Sequence, residues 1–374
     1  MFDVISNKSI KMKKTLPLII LLYSTFSSLA QSKSGFKNTW VFMVGVLEWK
    51  NHENFASFDK TNRIDAKIVK FFQKNGLPND HILYLKDKAA TTPAVKEAFI
   101  SFLKKAGKND DLFFNYCGHG YRNEADKVCF ANYEGADWSV EEIVKTVDKN
   151  FAGNTAIFTS DACNSGALVK EVQKYKNRNY AALASVVPQD LSTGNWTHSN
   201  ALLYGLQGKN FVDKNNNGTI SLQELAEYID EEMAIVEGQK SHYYVPESLK
   251  LWAIATNIPK KKDLRIGEKV NVKYGKTDYL GFITNAKPDG TYKVLFYSYA
   301  NDESEWLPSS RLIPLKPKPN FPVGSNVKSY CIIEKGWFPA KILKTFSTLH
   351  YVHYDGYDKK WDEWVSPDLV KKLE

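Results

Sequence analysis

Hydrophobic and polar positions follow one pattern between residues 39 and 257, where continuous apolar runs alternate with amphipathic stretches. The apolar runs are of the kind found in strands buried on both faces: Trp40–Val46, His81–Leu85, Asp111–Tyr116 and Thr155–Thr159. Apolar residues recur at helical spacing in the stretches 66–72, 92–106 and 139–148, which predicts helices there. Strands separated by helices predict an α/β domain with a doubly wound, mostly parallel sheet and helices on both faces.

The pattern changes after Ile258-Pro259, where three lysines precede short, aromatic-rich strands broken by Gly, Pro and Asp. This part repeats itself with a period of about 57 residues. The matching segments are Ile266–Val270 with Val323–Val327, Phe296–Tyr299 with Tyr354–Tyr357, and Glu305–Pro308 with Glu363–Ser366. Two small all-β, SH3-like barrels are expected, joined by a semi-stiff linker at Lys316–Pro319.

These changes of pattern predict the domain organisation of the chain. A signal peptide is expected over 1–30, an α/β domain over 37–258, and the two barrels over 263–315 and 321–374. The length of 374 residues suits two or three domains, and the hydrophobic fraction of 43% excludes global disorder. Most of the formal net charge of +8 lies after Lys260, which fits an anionic partner without requiring one.

The N-terminus has the pattern of an export signal. Lys11, Lys13 and Lys14 precede the apolar run Leu16–Phe26, and Ser28-Leu29-Ala30 places small residues at a cleavage site. The run is about half the ~20 residues that a membrane span needs. A secreted or periplasmic protein without a stable membrane span is therefore predicted, with Met12 as the expected true start.

The four cysteines, Cys117, Cys129, Cys163 and Cys331, are too few for a disulfide scaffold. Cys117 and Cys129 would form a disulfide only if their strands were neighbours. Two buried thiols are the favoured interpretation.

Two of the predicted strands end in residues that carry chemistry. One ends at Gly118-His119-Gly120 and the other at Asp161-Ala162-Cys163. The carboxyl ends of parallel strands meet at one edge of the sheet, so His119 and Cys163 lie close if the strands are adjacent. Imidazole then takes the thiol proton, and the N–H groups of Gly120 and Cys163 form an oxyanion hole. If each motif is considered alone, the alternatives are that Cys163 is only a buried cysteine and that Gly118-His119-Gly120 is only a turn.

These segments resemble motifs of caspase-like cysteine peptidases, a clan that includes caspases, metacaspases and legumain. Phe113–Gly120 is similar to "YxSGHG" and Ser160–Gly166 to "DACHSG", within a resemblance that covers about 39–257. It implies that His119 and Cys163 form the catalytic dyad, which requires no cofactor. Asn164 stands where bacterial members usually carry His, a position outside the dyad.

The resemblance extends to the residues that select substrates. Arg63-Ile64-Asp65-Ala66 is similar to the "NDA" segment of the family. Some branches of this family cleave after Arg or Lys. In those branches, the positions that match Asp65 and Asp161 line the S1 pocket, which binds the substrate side chain before the scissile bond. Two carboxylates suit a guanidinium, so protein or peptide substrates cut after Arg or Lys are implied. The alternative for Asp65 is that it supports the start of its helix.

A twelve-residue segment, Asp213–Glu224, matches the EF-hand calcium loop, with glycine at the sixth position. The candidate calcium ligands are Asp213, Asn215, Asn217, Thr219 and Glu224. Since only two of them are acidic, weak binding in the millimolar range is expected, and a calorimetric titration tests it. The alternative is a loop held by Asn and Asp turns.

The second repeat carries four aromatic residues at close spacing, Tyr354, Tyr357, Trp361 and Trp364. The segment 354–365 resembles the Tudor/chromo-barrel (Agenet-like) family, which implies a cage for a methylammonium group or a platform for stacking bases. The alternative is that these rings form the small barrel's core. Glu303 in the first repeat stands where the second has Trp361, which predicts an incomplete cage there.

The sequence as a whole predicts an exported cysteine endopeptidase with two accessory barrels. The barrels are expected to bind an unknown protein or anionic ligand, and nucleic acid is not expected for an exported protein. Two alternatives remain. One is another acyl transfer by the same dyad, such as transpeptidation. The other is a catalytically silent scaffold whose barrels bind protein or nucleic acid.

Overall fold

The computed structural model describes residue 36 and the ranges 38–51, 53–61, 63–297 and 303–373. The predicted signal peptide, 1–30, lies outside the described residues. Within the described ranges, every helix is too short or too polar to cross a bilayer.

A six-stranded sheet forms the centre of the α/β domain. Its strands are β1 Thr39–Gly45, β2 Ile82–Lys86, β3 Asp111–Cys117, β7 Thr155–Asp161, β8 Asn179–Ala184 and β10 His242–Tyr244. They lie in the order β10-β8-β7-β3-β1-β2, and only β10 is antiparallel to its neighbour. The predicted doubly wound, mostly parallel sheet is therefore confirmed.

Helices cover both faces of this sheet. They are α1 Ile64–Lys74, α2 Thr92–Leu103, α3 Val140–Asn150, α4 Ala167–Val172, α5 Thr197–Leu206 and α6 Leu222–Glu232. Successive side chains of a strand point to opposite faces, so Val41 and Met43 pack in a core with α1, α5 and α6. Phe42 and Val44 pack with α2, α3 and α4 in a second core.

Two small antiparallel sheets, which the sequence pattern did not predict, complete this domain. The first joins β4 Gly120–Arg122, β5 Val128–Ala131 and β6 Asp137–Ser139, directly after the glycine-flanked histidine. The second pairs β9 Thr219–Ser221 with β11 Ala253–Thr256. Their strands are three or four residues long, too short to show a hydrophobic period.

Two five-stranded antiparallel sheets follow. We call them the first repeat (266–315) and the second repeat (323–372). The first contains β12 Lys269–Tyr274, β13 Thr277–Ala286, β14 Thr291–Phe296, β15 Ser304–Pro308 and β16 Leu312–Pro314. The second contains β17 Asn326–Cys331, β18 Gly336–Phe346, β19 Leu349–Tyr354, β20 Glu363–Val365 and β21 Val370–Lys372. Both sheets have the same strand order, β15-β14-β13-β12-β16 and β20-β19-β18-β17-β21.

The first repeat shares its core with the α/β domain. Phe282 packs edge-on against Phe211, with ring centroids 5.0 Å apart, within one continuous cluster of buried residues. Buried Lys269 forms an ion pair with buried Glu232 of α6, and the Tyr297 hydroxyl donates to the same carboxylate at 2.5 Å. This ion pair joins the first repeat to α6, which packs in the α/β core.

The second repeat has a core of its own, formed by Val327, Ile342, Val352 and neighbouring residues. It touches the α/β domain through polar contacts. The Lys240 ammonium lies 4.4 Å from the centroid of the Phe346 ring, and the Thr348 hydroxyl donates to the Ala234 carbonyl at 3.4 Å.

All four cysteines are free thiols. Cys117 and Cys129 are buried and unpaired, so the interpretation as two buried thiols is confirmed. Cys163 alone is partly exposed.

Candidate active site

The candidate dyad lies at the carboxyl edge of the sheet, where β3 and β7 are direct neighbours. Cys117, the last residue of β3, pairs with Asp161 at the end of β7 and, on its other side, with Gly45 of β1. His119 and Cys163 each follow their strand by two residues. The adjacency of the strands therefore brings their two turns together.

Glycines allow the two turns to touch. A side chain at Gly118 would place its Cβ 2.8 Å from the Val46 carbonyl oxygen, and one at Gly120 only 2.0 Å from the Cys163 carbonyl oxygen. Only glycine fits such approaches of backbone to backbone. Gly120 is thus explained by the close contact between the histidine turn and the cysteine turn, and Gly118 by its approach to the backbone that follows β1.

The His119 imidazole is fixed by a backbone carbonyl and by aromatic rings. Its Nε2 lies 2.8 Å from the Ala56 carbonyl oxygen, which can only accept a hydrogen bond, so Nε2 carries the proton. Nδ1 is then left with a free lone pair. The rings of Trp49, Phe55 and Phe58 surround the imidazole at centroid distances of 4.5, 5.6 and 4.7 Å.

This environment sets the charge of the imidazole. Burial lowers the pKa of His119 below its ordinary value, against a smaller opposing effect of the Ala56 hydrogen bond. The side chain is therefore neutral at pH 7. A neutral imidazole with a free Nδ1 can accept a proton.

The Cys163 sulfur is surrounded by backbone donors. Ser192 N–H donates to Sγ at 3.3 Å, and the N–H groups of Cys163 and Gly120 also interact with it. Burial is the largest influence and raises the pKa of the Cys163 thiol, while the Ser192 N–H opposes that rise. No hydrogen bond joins the side chains of His119 and Cys163, both of which are described residues. The resting site accordingly holds a neutral thiol and a neutral imidazole.

The two N–H groups expected to form an oxyanion hole, those of Gly120 and Cys163, face the space beside Sγ. Donors in this position can stabilise negative charge on an oxygen bonded to the carbon that the sulfur attacks. They are fixed by the backbone contact between the two turns.

Asp65 lies beside this site, but its charge is already neutralised. Arg63 binds its carboxylate through Nη2 at 2.8 Å and Nε at 3.2 Å, and the Tyr84 hydroxyl donates to it at 2.6 Å. Only 2% of Asp65 is exposed. Gly45 makes room for this carboxylate, since a Cβ there would lie 1.8 Å from Oδ2. Asp65 also lies in the first turn of α1, the position expected if it supports the start of that helix.

Asp161 is equally buried and has no cationic partner among the described residues. The N–H and hydroxyl of Ser199 donate to Oδ2 at 3.0 and 2.8 Å, and the Ser192 hydroxyl lies 3.4 Å from Oδ1. Burial raises the pKa of Asp161 to about 6. The carboxylate is therefore mostly ionised at pH 7 without a compensating positive charge.

A third carboxylate, Glu237, was not predicted from the sequence. Its charge contributes to the raised pKa of Asp161, so the two groups interact. Asn195 Nδ2 donates to Glu237 at 2.9 Å, and the Thr197 hydroxyl holds its other oxygen. Glu237 lies on a π-helical turn, Met233–Glu237, far along the chain from Asp161 and outside any motif. No local signal in the sequence could have linked them.

The loop 213–224 has the hydrogen bonds of an Asx-turn loop. Buried Asp213 accepts from the N–H of Gly218 at 2.8 Å and of Asn217 at 3.2 Å. Asn217 Oδ1 accepts from the Thr219 N–H at 2.8 Å. Glu224 caps its own helix, accepting from Ser221 N–H at 3.0 Å. Across the described residues, no three His, Cys, Asp or Glu side chains cluster as metal ligands would. Calcium binding by this loop stays a prediction.

The aromatic residues of the second repeat divide into two groups. Tyr354, Tyr357 and Trp361 line one pocket together with Phe338. The Phe338 ring stands edge-on to Tyr357 at 5.5 Å and to Tyr354 at 6.1 Å. Trp364 does not line that pocket; it packs against Tyr351 at 5.3 Å. Three of the four predicted ring residues are thus brought together, and the fourth is separate.

Trp364 lines a groove at the boundary between the second repeat and the α/β domain. Asp190 and Glu363 line the same groove. Burial raises the pKa of Asp190 to about 7, and the charge of Glu363 adds to this effect. Since Asp190 precedes Ser192 by two residues, the second repeat lies against the loop that contacts the nucleophile.

Comparisons with known proteins add a match for the second repeat. The Tudor-knot family model, described as "RNA binding activity-knot of a chromodomain", matches residues 323–372. Among solved structures, the chain is similar to protein GSU0716 from Geobacter sulfurreducens, with a TM-score of 0.42 and 15% identity over 59% of this chain and 99% of that one. It is also similar to the Drosophila initiator caspase Dronc, with a TM-score of 0.39 and 11% identity over 67% and 94% of the two chains. No curated protein gives a significant match.

Proposed function

We propose that this chain is an exported cysteine endopeptidase that hydrolyses peptide bonds after Arg or Lys. The observation that carries the proposal is the junction of two turns at one sheet edge. There Gly120 packs on the Cys163 backbone, and His119 is held with a free Nδ1. The residue types, the tautomer and the surrounding N–H donors suit a thiol nucleophile with an imidazole base.

The proposed reaction uses each of these groups in turn. His119 Nδ1 takes the Sγ proton, and the thiolate adds to the scissile carbonyl carbon. The resulting oxyanion accepts hydrogen bonds from the N–H groups of Gly120 and Cys163. When the C–N bond breaks, protonated His119 returns the proton to the leaving amine, which leaves a thioester. Water, deprotonated by His119, then hydrolyses the thioester and regenerates the thiol.

Selectivity for a cationic P1 residue is proposed to come from Asp161. Its carboxylate is buried, two residues from the nucleophile, and within the described part of the chain it lacks the counter-charge that buried carboxylates normally have. Asp65 is proposed to act indirectly, because Arg63 already neutralises it. The neighbouring Glu237 increases the negative potential around Asp161.

Asp161→Asn is expected to lower kcat/KM for fluorogenic Arg and Lys substrates by about 100-fold, the effect of losing a desolvated charge pair of ~3 kcal/mol. The carboxamide keeps the shape and can still accept from Ser199. Substrates with Asn or Asp at P1 should stay poor for both proteins. Asp65→Asn serves as the matched control: it should lower the melting temperature, because Arg63 loses one of its two carboxylate partners, more than it changes P1 preference. Equal loss on all substrates, or wild-type preference for Asp or Asn, contradicts the proposal.

The second repeat is proposed as an accessory binding module for protein. Phe338, Tyr354, Tyr357 and Trp361, with Glu334, line one small pocket of about 10 Å³. This pocket would have to widen to receive a cationic group on its rings. Tyr354 donates to Glu363 at 2.6 Å, which holds its ring in the pocket wall. Capture of substrates that carry cationic side chains fits both this pocket and the proposed P1 preference. The loop 213–224 is proposed to add a weak calcium site outside the catalytic chemistry.

A further inference from the structure

Ser192 contacts both the nucleophile and the candidate specificity residue. It lies in the segment 185–196 between β8 and α5, which we call the β8–α5 loop. Its N–H donates to Cys163 Sγ at 3.3 Å, and its hydroxyl lies 3.4 Å from Asp161 Oδ1. One residue therefore connects the sulfur that reacts with the carboxylate that is proposed to bind the P1 side chain.

The β8–α5 loop is tied down on both sides of Ser192. On one side, Asn164 N–H donates to the Asp190 carbonyl at 2.8 Å, and Asn164 Nδ2 donates to the Pro188 carbonyl at 3.0 Å. Asn164 has a φ of 58°, a left-handed conformation that asparagine tolerates better than most residues. On the other side, the Thr193 N–H donates to Gln239 Oε1 at 3.2 Å, and Gln239 Nε2 also donates to the Leu191 carbonyl, just before Ser192, at 2.6 Å. These bonds fix the position of the Ser192 N–H on the sulfur.

The charges around the sulfur oppose its deprotonation in the resting state. Burial has the largest influence and raises the pKa of the Cys163 thiol, and the charge of Asp161, which has no cationic partner among the described residues, raises it further. The neutral His119 adds no positive charge, and Tyr116 is a fully buried neutral phenol. The remaining polar groups at Sγ are the backbone N–H donors of Gly120, Cys163 and Ser192 and the Ser192 carbonyl, to which the thiol donates at 3.7 Å.

Among the residues that the structure describes, none around Asp161 supplies a compensating positive charge either. Ser199 and Ser192 donate neutral hydrogen bonds, and Cys117 is a buried thiol. Glu237 adds a further negative charge, while Arg63 is engaged by Asp65 and Asp87. A cation arriving at Asp161 would therefore be the first positive charge at this site.

We propose, on the basis of the proposed function, that a cationic P1 side chain activates the nucleophile that cleaves it. By pairing with Asp161, it cancels the negative charge that disfavours the thiolate, and Ser192 is the positioning residue that bridges the sulfur and the carboxylate. The proton then moves from Sγ to His119 Nδ1 with no other change in bonding. Selectivity for Arg or Lys and thiol activation thus arise from the same ion pair.

The rate at which iodoacetamide alkylates Cys163 measures this effect directly. The thiolate displaces iodide and forms a thioether, so the rate follows the thiolate fraction across a pH series. Ethylguanidine serves as the P1 probe because it carries the cation but has no carbonyl to cleave. Ethylurea, its uncharged isostere, is the matched control. Peptide mapping after each reaction identifies the alkylated cysteine.

Ethylguanidine is expected to move the midpoint of the pH–rate profile down by about one unit. This raises the alkylation rate about tenfold at pH values that lie below both midpoints but above the pKa of Asp161, about 6, where its carboxylate is ionised. Ethylurea should leave the profile unchanged. Asp161→Asn should alkylate at the lower midpoint without any additive, and ethylguanidine should then have no effect. An unchanged midpoint with ethylguanidine, or an equal effect of ethylurea, overturns the proposal.

Ser192→Ala tests the positioning role. This variant keeps the N–H on Sγ but removes the hydroxyl that supports the ionised Asp161. The concentration of ethylguanidine that gives half the effect is expected to rise several-fold while the melting temperature stays unchanged. If the melting temperature fell while the half-effect concentration of ethylguanidine stayed unchanged, Ser192 would have only a structural role. That result would overturn its proposed positioning role.

The outcome is separable from that of the proposed function. If Arg substrates are cleaved and Asp161→Asn abolishes the preference, but ethylguanidine does not change the pH midpoint, the peptidase assignment stands and the activation is refuted. If no Arg or Lys substrate is cleaved, the proposed function itself fails.

Discussion

Cys163→Ala is expected to abolish peptide hydrolysis, with a loss of at least ~10⁴-fold, while the melting temperature stays within about 2 °C of the parent. The loss is large because the proposed thioester cannot form without Sγ. The stability is preserved because Cys163 is partly exposed and the contacts of Sγ are with backbone groups, among them the N–H and carbonyl of Ser192. Initial rates on an Arg substrate and thermal unfolding measure the two effects.

Two further variants make this result specific. His119→Ala should lower the rate nearly as far, since the dyad acts as a unit. Cys331→Ala, a buried cysteine in the second repeat, should keep full activity. If Cys163→Ala retained the parental rate, or if no activity existed to lose while binding persisted, the chain would be the silent scaffold of the alternative hypothesis.

Lys269→Met is expected to lower the free energy of unfolding by about 3–5 kcal/mol, the effect of removing one partner from a buried ion pair. The substitution leaves the Glu232 carboxylate, 2% exposed, with the Tyr297 hydroxyl but no cation. Urea unfolding followed by tryptophan fluorescence measures the loss. The double variant Glu232→Gln with Lys269→Met should recover most of it, because no unpaired charge remains.

The exposed ion pair Lys127–Glu141, 3.0 Å long, provides the matched control. Lys127→Met should change the free energy of unfolding by less than ~1 kcal/mol. A loss below about 1 kcal/mol for Lys269→Met would contradict the view that the first repeat is part of the α/β core. Such a result would instead favour a first repeat that folds independently.

The hydrophobic pattern of the sequence predicts the fold correctly where the helices and strands are long enough to show a period. Four of the six central strands and the helices beside them match apolar runs and helical spacing, because these residues pack into the two large cores. The strands of the small β4-β5-β6 sheet gave no such signal. The shared core of the first repeat was also missed, since the contact of Phe282 with Phe211 joins residues far apart in sequence.

The candidate site could be predicted in part from the sequence. His119 and Cys163 were recognisable because glycines and strand ends surround them in a local motif. The role of the Ala56 carbonyl in holding His119 could not be recognised from the sequence, since any residue can supply a backbone oxygen. Ser192 and Glu237 reach the site from a loop and a π-helical turn whose positions depend on tertiary packing.

The structure changes the expected roles of two residues. Asp65 and Asp161 were paired as specificity residues, yet Arg63 lies only two positions before Asp65 and occupies its carboxylate. The sequence shows both residues but not that their side chains meet. Trp364 was grouped with the ring pocket, but on β20 it faces the groove beside Asp190. Close spacing in sequence could not show that β20 places Trp364 apart from the rings of Tyr354, Tyr357 and Trp361, which precede that strand.

The most direct test of the proposed peptidase is labelling with a peptidyl-Arg chloromethyl ketone, followed by intact mass and peptide mapping. One equivalent of adduct on Cys163 is predicted, with little reaction of the peptidyl-Asp reagent under the same conditions. Absence of an adduct, modification of Cys117, Cys129 or Cys331 instead, or equal labelling by the Asp reagent would contradict the account.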